Sequence, residues 1–227
     1  MLSERLSDPD LLRRVPAETV PYYVDTDRRA DVAKRVVVED LPSVVVFDPA
    51  LGVLARHDND YRNEPRSLVA LLDALPERRR EAEAERRAAA EAVERAPASG
   101  QARVALANVS FGRFLLDEAD AEYARALSLL EAAGGEARNL RDDVEIARVY
   151  VRLLRSESAD AIRLADEFLA RRVESPFRWR ALYYKGYALT DEDRLDEARA
   201  VLRQVEREPA AGEWRHAARE TLTSLGE

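Results

Sequence analysis

Residues 175–209 read SPFRWRALYYKGYALTDEDRLDEARAVLRQVEREP, and this stretch predicts two antiparallel helices joined by a short turn. Apolar and small residues recur at helical spacing in both halves. They are Leu182, Gly186 and Leu189 in the first half, and Leu195, Ala198, Leu202 and Val205 in the second. Because glycine and alanine carry almost no side chain, Gly186 and Ala198 would allow the two helix axes to approach closely.

The same pattern recurs upstream at a constant interval. Ala124, Ala161 and Ala198 are each 37 residues apart, and each would lie near the start of the second helix of a pair. A fixed interval of this size is typical of an array of helical hairpins. We therefore predict three units, followed by a last helix that covers the third. The predicted helices lie near 103–116 and 119–133 in unit one, 142–154 and 159–172 in unit two, within 175–209 in unit three, and near 213–225 at the end.

This carboxy-terminal half resembles the tetratricopeptide-repeat (TPR) family. The signature positions of unit three are occupied by Gly186, Leu195, Ala198, Leu202 and Val205, with Pro209 one residue early. Unit one has Gly112 and Ala124 at the matching positions, whereas unit two has Val149 in place of the glycine. The interval also exceeds the family's usual length of about 34 residues. The resemblance implies an α-helical array and a binding role, but it does not specify the ligand.

In the resembled family, the first helix of each unit lines a groove that holds a protein or peptide. Tyrosine and arginine anchor many protein interfaces. The alternative is that the tyrosines here only pack between helices. The lysine and asparagine clamp of some family members is not evident, so Arg113 and Arg180 are the candidates to hold a partner carboxylate. The resemblance gives these partner-binding candidates: Arg113, Asp143, Tyr150, Arg180, Tyr183 and Tyr187.

The amino-terminal region has a different pattern, in which short apolar runs alternate with helical stretches. VPYYVD at 20–25 is rich in β-branched and aromatic residues and predicts a strand, and 27–38 predicts a helix. The continuous apolar run at 44–47 predicts a strand buried on both faces. A turn at 48–52 leads to a second, antiparallel strand at 53–57, and an amphipathic helix follows at 64–75.

The order of these elements resembles the thioredoxin-like family over about the first 75 residues. The residues that carry the resemblance are VPYYVDTD, DVAKRV, VVVFDPALGVLAR and Leu41-Pro42-Ser43. In that family, the proline before the penultimate strand is cis and faces two redox cysteines, and Pro42 matches it. The family's first strand and its Cys-x-x-Cys motif have no counterpart here, because MLSERLSDPDLL matches only the later part of the helix that follows them.

The strand without a counterpart is central in the resembled fold, between the strands predicted at 20–25 and 44–47. Unpaired backbone groups at that place would be costly if they were buried. Three explanations remain open at this point. The two strands pair directly, another segment or chain fills the gap, or a cysteine-containing segment precedes Met1 in the natural protein.

The connector at 76–100 is rich in alanine, glutamate and arginine, which favour helix. Pro76 suits the first position of a helix, and Pro97–Gly100 would end it. Few apolar residues share one face, so a solvated bridging helix is favoured over a coiled coil. The predicted fold class is α/β plus all-α. It comprises an incomplete thioredoxin-like domain at 1–75, the connector at 76–100, and a TPR-like array with a capping helix at 101–227.

Composition narrows the function further. The chain of 227 residues has no cysteine and a net charge of −8, and it has no long basic run. We expect no thiol chemistry and no nucleic-acid partner, which would need clustered positive charge. His57 and His216 are the only histidines and belong to different predicted domains, so no metal or other cofactor is expected. No apolar run approaches the length of a membrane span, and we expect a cytoplasmic protein that does not bind membranes.

These observations favour a non-catalytic scaffold, not an enzyme, in which a redox-inactive thioredoxin-like domain is joined to TPR-like repeats that bind a protein or peptide. An alternative is a thiol-disulfide oxidoreductase or redox chaperone whose cysteines lie upstream of Met1. A third hypothesis is a homo-oligomer that forms through the open sheet.

Overall fold

The computed structural model of the chain describes residues 43–58, 65–134 and 137–226, together with residues 9, 13–15, 19, 20 and 28. The described part is mostly helical and contains a small antiparallel sheet. Most of the predicted strand at 20–25, most of the helix at 27–38, and Leu41 and Pro42 lie outside these residues. Ser43, the last residue of the predicted cis-proline loop, is the first residue of a strand.

A β-hairpin opens the continuously described chain. Strand β1 (Ser43–Asp48) pairs antiparallel with strand β2 (Gly52–Asp58), as predicted. The Asp48 carboxylate fixes the turn, because its Oδ1 accepts from the N–H of Ala50 at 2.8 Å. The prediction that β1 is buried on both faces is wrong, since its residues are half-buried and Phe47 is 51% exposed. The buried apolar side chains of this hairpin are instead those of its turn and of β2.

Helix α1 (Pro65–Arg95) runs for 31 residues and contains Pro76 in its interior. The predicted helix start at Pro76 is therefore wrong, and the helices predicted at 64–75 and 76–100 are one helix. A proline inside a helix removes one backbone hydrogen bond, but good helix formers on both sides can compensate. After Pro76 those formers are the alanine, glutamate and arginine residues that predicted the connector.

The remaining helices form consecutive pairs. Each predicted helix of the array is present, with ends within about four residues of the predicted ones. The chain reverses through three-residue connections between the two helices of each pair, which makes them antiparallel. The bounds are α2 (Gly100–Gly112) and α3 (Leu116–Ala133), α4 (Arg138–Leu154) and α5 (Ser158–Arg171), α6 (Arg178–Asp191) and α7 (Leu195–Arg207), and α8 (Trp214–Ser224) after a 3₁₀ turn (Pro209–Ala211).

One turn geometry recurs in all three pairs. Phe114, Ser156 and Asp193 have left-handed φ angles of 58°, 59° and 57°. The N–H of the residue after each of them donates to a carbonyl five residues back, at 2.9 Å in every case. This arrangement satisfies helix-end carbonyls and reverses the chain. The three units can therefore be aligned on these turn residues without reference to sequence similarity, and we call this alignment the structural register.

That register differs from the predicted one in unit one. The turn residues are 42 and then 37 residues apart. The counterparts of Ala161 and Ala198 are therefore not Ala124 but Ala119, which is 0% exposed like the other two. In the same way the counterpart of Gly186 is Ala107 and not Gly112. Helix α3 has 18 residues and α5 has 14, and this extra turn of helix accounts for most of the difference between the intervals.

The core runs along the array as three clusters of buried side chains. Ala119, Tyr123 and Val144 belong to the first, and Phe168 with Leu189 to the second. The third cluster joins unit three to α8, as the sequence predicted for the final helix. Its buried members are Leu182, Leu202, Val205, Ala211, Ala218 and Leu222.

A buried carboxylate also connects unit one to unit two. Asp120 on α3 is 8% exposed and accepts from Arg148 Nε on α4 at 2.8 Å. Arg152 on α4 pairs with the second Asp120 oxygen and donates to Glu157 at 2.6 Å. Because each charge has a partner, burial of the aspartate is tolerated.

Within the described ranges, no helix combines the length and the apolar character that a membrane span requires.

Candidate functional site

The first helices of units two and three meet at an ion pair. Arg180 Nη1 on α6 donates to Asp143 Oδ1 on α4 at 2.8 Å. In the structural register these two residues occupy equivalent positions, one unit apart. The Asp143 side chain is 46% exposed, whereas that of Arg180 is 24% exposed. The pair therefore lies at the surface, and its two charges neutralise each other.

Aromatic rings surround the guanidinium of Arg180. Its carbon atom lies 5.5 Å from the centroid of the Tyr184 ring and 6.0 Å from that of Trp214. Arg180 Nε also donates to the Tyr184 hydroxyl at 3.3 Å. A guanidinium on aromatic faces is held by cation–π attraction, and its loss of hydration is partly offset. These contacts fix Arg180 in one orientation while Asp143 remains accessible.

The rings form a continuous series across the first helices and α8, which we call the aromatic row. Tyr150 stacks on Tyr184 with centroids 5.0 Å apart, and Tyr184 meets Trp214 edge-on at 5.5 Å. The ring centroid of Tyr183 lies 5.4 Å from that of Trp214 and 6.5 Å from that of Tyr187. Such pairs stabilise each other beyond their area of burial. The members of the aromatic row are Phe111, Tyr150, Tyr183, Tyr184, Tyr187 and Trp214.

The aromatic row has a buried part and a part that is accessible to solvent, which we call its face. Tyr184 is 7% exposed and belongs to the core cluster of unit two and unit three. Tyr187 is 37% exposed, and Tyr150, Tyr183 and Trp214 are half-buried. Burial raises the pKa of Tyr184, although the nearby Arg180 opposes the rise. Burial also raises the pKa of Tyr187, and Asp191 adds to the effect. Both hydroxyls are thus neutral donors at ordinary pH.

A second polar contact lies at the unit-one end of this surface. The Tyr123 hydroxyl on α3 donates to Asn108 Oδ1 on α2 at 2.7 Å. Burial is the largest reason why the pKa of Tyr123 rises to about 12, Asp143 raises it further, and Arg180 lowers it. Asn108 itself is exposed, and in the structural register it is the counterpart of Tyr150 and Tyr187. Its oxygen is occupied by Tyr123, so its amide N–H groups are the part available at the surface.

Five of the six predicted partner-binding residues lie in this region: Asp143, Tyr150, Arg180, Tyr183 and Tyr187. Arg113 does not. It caps α2, its backbone O accepts from the N–H of Val53 at 2.8 Å, and its Nη2 donates to Glu85 at 2.8 Å. The physical reason is its position beyond the last turn of α2, where it faces the hairpin and α1. The structure thus places Arg113 at the contact of α2 with the hairpin and α1, and not with the other five predicted residues.

Sequence reasoning missed several residues of the site. Phe111 joins the aromatic row through Tyr150, with ring centroids 5.9 Å apart. Trp214 packs against the cluster that joins unit three to α8, and it also contacts Arg180 and Tyr183. Asn108 would have been found by aligning the units on the residues before each turn. The constant interval of 37 residues concealed it, because unit one is longer.

Among the described residues, no three side chains of histidine, cysteine, aspartate or glutamate come together in a way that would hold a metal ion. Comparison of the chain with family models, with curated proteins and with solved structures found no match. The functional interpretation therefore depends on the geometry of the aromatic row and its ion pair.

Proposed function

We propose that this chain is a non-catalytic scaffold whose aromatic row binds a segment of another protein. The observation that carries the proposal is the continuity of the row across the first helices of all three units and α8, with Tyr187 37% exposed at its face. Tyrosine, tryptophan and arginine supply much of the binding energy of protein interfaces because they combine large contact area with few rotatable bonds.

The chemistry of the partner follows from the charges of the surface. The Asp143 and Arg180 charges cancel at 2.8 Å, so the site does not favour a densely charged ligand. The tyrosine faces favour aliphatic or aromatic side chains, and the exposed Asn108 amide favours a backbone carbonyl. We therefore propose a short protein segment with apolar side chains and few charges as the occupant.

The proposal includes a finer description of the fold. The recurring left-handed turns, the buried alanines at 119, 161 and 198, and the contacts between the first helices of units two and three all support a TPR-like array. A β-hairpin followed by a helix is consistent with the end of a thioredoxin-like domain. The chain has no cysteine, so a domain of this kind would be redox-inactive.

The test begins with selection of peptides on the purified chain from a display library, followed by calorimetric measurement of each affinity. We expect Tyr187→Ala to weaken binding by about tenfold or more, which corresponds to about 1.4 kcal/mol. Tyr187→Phe should retain most of the affinity if the ring provides the contact. Thermal unfolding of each variant checks that the fold is intact.

Phe47→Ala is the matched control, because Phe47 is an aromatic residue that is 51% exposed but belongs to strand β1 of the hairpin and not to the aromatic row. It should leave peptide affinity unchanged. If Phe47→Ala and Tyr187→Ala have the same effect, or if no peptide competes with another for the surface, the assignment of the aromatic row as the binding site is wrong.

A further inference from the structure

The hairpin is bonded to the array at one backbone position. The N–H of Val53 on β2 donates to the carbonyl oxygen of Arg113 at 2.8 Å, and Arg113 Nη1 donates back to the Val53 carbonyl at 3.4 Å. The Arg113 carbonyl lies at the end of α2, where helix carbonyls lack a partner within the helix. The hairpin thus supplies a donor that the helix end needs.

The approach of the two segments is close enough to require glycine. A Cβ at Gly52 would lie 2.0 Å from the Arg113 oxygen, and Gly52 has a φ of +76°. Any other residue would therefore suffer both backbone strain and a clash with backbone atoms that cannot rotate away. The close contact between the hairpin and the end of α2 therefore depends on glycine at position 52.

Helix α1 connects to both partners of this junction. Arg113 Nη2 pairs with Glu85 on α1 at 2.8 Å, and Arg86 on α1 pairs with Glu118 on α3 at 2.9 Å. Arg86 also donates to the Ala50 carbonyl in the hairpin turn. Leu51 and Leu54 of the hairpin bury their side chains with Ala82 of α1, and Leu75 packs against them.

We propose that the hairpin and α1 are the cap of the array at unit one, and that they unfold together with it and not as a separate domain. A two-stranded hairpin has marginal stability alone. Among the residues that the structure describes, its cluster contains three buried side chains, which add little to that stability. Terminal units of helical arrays need a covering element, and α8 provides one at the other end.

Hydrogen exchange on the intact chain tests this directly. The Val53 amide is bonded across the junction, so it opens only when the hairpin leaves α2. We expect its exchange to show the same denaturant dependence as that of amides in the core of α6, such as that of Leu189. Exchange of Val53 that is at least a hundredfold faster and independent of denaturant would overturn the proposal.

Two glycine variants distinguish the effect of a clash at the junction from the effect of backbone strain alone. Gly52→Ala and Gly134→Ala both place alanine at a positive φ, of +76° and +80°, but nothing lies within 4 Å of a Cβ at Gly134. We expect Gly52→Ala to accelerate the exchange of Val53 and Leu189 by the same factor, tenfold or more, and Gly134→Ala to accelerate both by a smaller factor. Acceleration of Val53 in Gly52→Ala without acceleration of Leu189 would contradict the proposal.

Arg113→Ala provides a second route if Gly52→Ala does not fold. It removes the bonds to the Val53 carbonyl and to Glu85 but keeps the Arg113 carbonyl. It should accelerate the exchange of Val53 and Leu189 by the same several-fold factor and leave peptide binding at the aromatic row unchanged. Unchanged exchange at Val53 would show that the side chain plays no part in docking, and would count against the proposal.

Discussion

At Gly186 the packing of unit three leaves no room for a side chain. A Cβ there would lie 2.7 Å from both Cγ and Cδ2 of Leu202, whose side chain is fully buried. We expect Gly186→Ala to lower the free energy of unfolding by up to about 2 kcal/mol. Overpacking costs about 1–3 kcal/mol, and the better helix propensity of alanine offsets about 1 kcal/mol of it. Urea denaturation measures the difference.

Gly112→Ala is the control for that substitution. Gly112 also lies in a helix, but nothing is within 4 Å of a Cβ built on it. We expect no loss of stability, and a gain of up to about 1 kcal/mol from helix propensity. Equal losses at both glycines would contradict the structural register, since the sequence alone treats the two as equivalent.

Because of Tyr123, we expect the free energy of unfolding to depend on pH in the alkaline range. Its pKa is about 12 in the folded chain and 10.0 without the effects of folding. Below pH 10 the residue is neutral in both states, and its contribution to stability is constant. Between pH 10 and 12 only the unfolded chain loses the proton, so stability falls by up to about 1.4 kcal/mol for each pH unit.

The measurement is the difference in unfolding free energy between the wild type and Tyr123→Phe as a function of pH. Phenylalanine does not titrate, so the advantage of the wild type should shrink above pH 10. The substitution also removes the hydrogen bond to Asn108, which lowers stability at neutral pH by about 1 kcal/mol. A difference that stays constant up to pH 12 would mean that the hydroxyl ionises normally in the folded chain.

At the scale of single elements, α1 shows that a proline does not always end a helix. Pro76 is exposed and lies between two helical stretches that the sequence predicts separately. Pro76→Ala restores the missing N–H donor and removes the clash of the ring with the preceding turn. We expect it to raise the free energy of unfolding by about 1–3 kcal/mol, as judged by urea denaturation.

Pro97→Ala is the matched control, because Pro97 lies in the turn after α1 and not inside a helix. Here proline restricts the unfolded chain without removing a helical bond, so its loss should be neutral or cost up to about 1 kcal/mol. If Pro76→Ala also proves neutral or destabilising, α1 does not run through that position in solution.

At the scale of the whole molecule, the array depends on covered ends. Helix α8 covers Leu182, Leu202 and Val205, each of them 6% exposed or less. A chain that stops after Glu208 would expose these side chains. We expect it to self-associate or to lose several kcal/mol of stability, since deletion of buried apolar contacts costs about 2–5 kcal/mol for each large side chain.

Sedimentation velocity over a range of concentrations measures the association, and thermal unfolding measures the stability. A chain that stops after Leu225 keeps α8 and is the control. A truncated chain that remains monomeric with an unchanged midpoint would show that α8 is not a stabilising cap.

The sequence by itself determined the helical pairs, the hairpin and the covering helix. Apolar periodicity, the turn residues around Asp48 and the small residues at Gly186 and Ala198 are local signals, and local signals set local structure. They also located half of the aromatic row, because Tyr150, Tyr183 and Tyr187 fall on the first helices of units two and three whatever the exact register.

Only the tertiary structure decided the register of unit one, the passage of α1 through Pro76 and the role of Arg113. Helix length depends on packing at both ends, so the extra turn of α3 is not visible in a repeat interval. The chain is rich in arginine, and the sequence does not distinguish Arg113 from the others. Its role follows from the position of the hairpin against it. Its partners, Val53 and Glu85, are distant in sequence, and only the folded chain brings them within hydrogen-bonding distance.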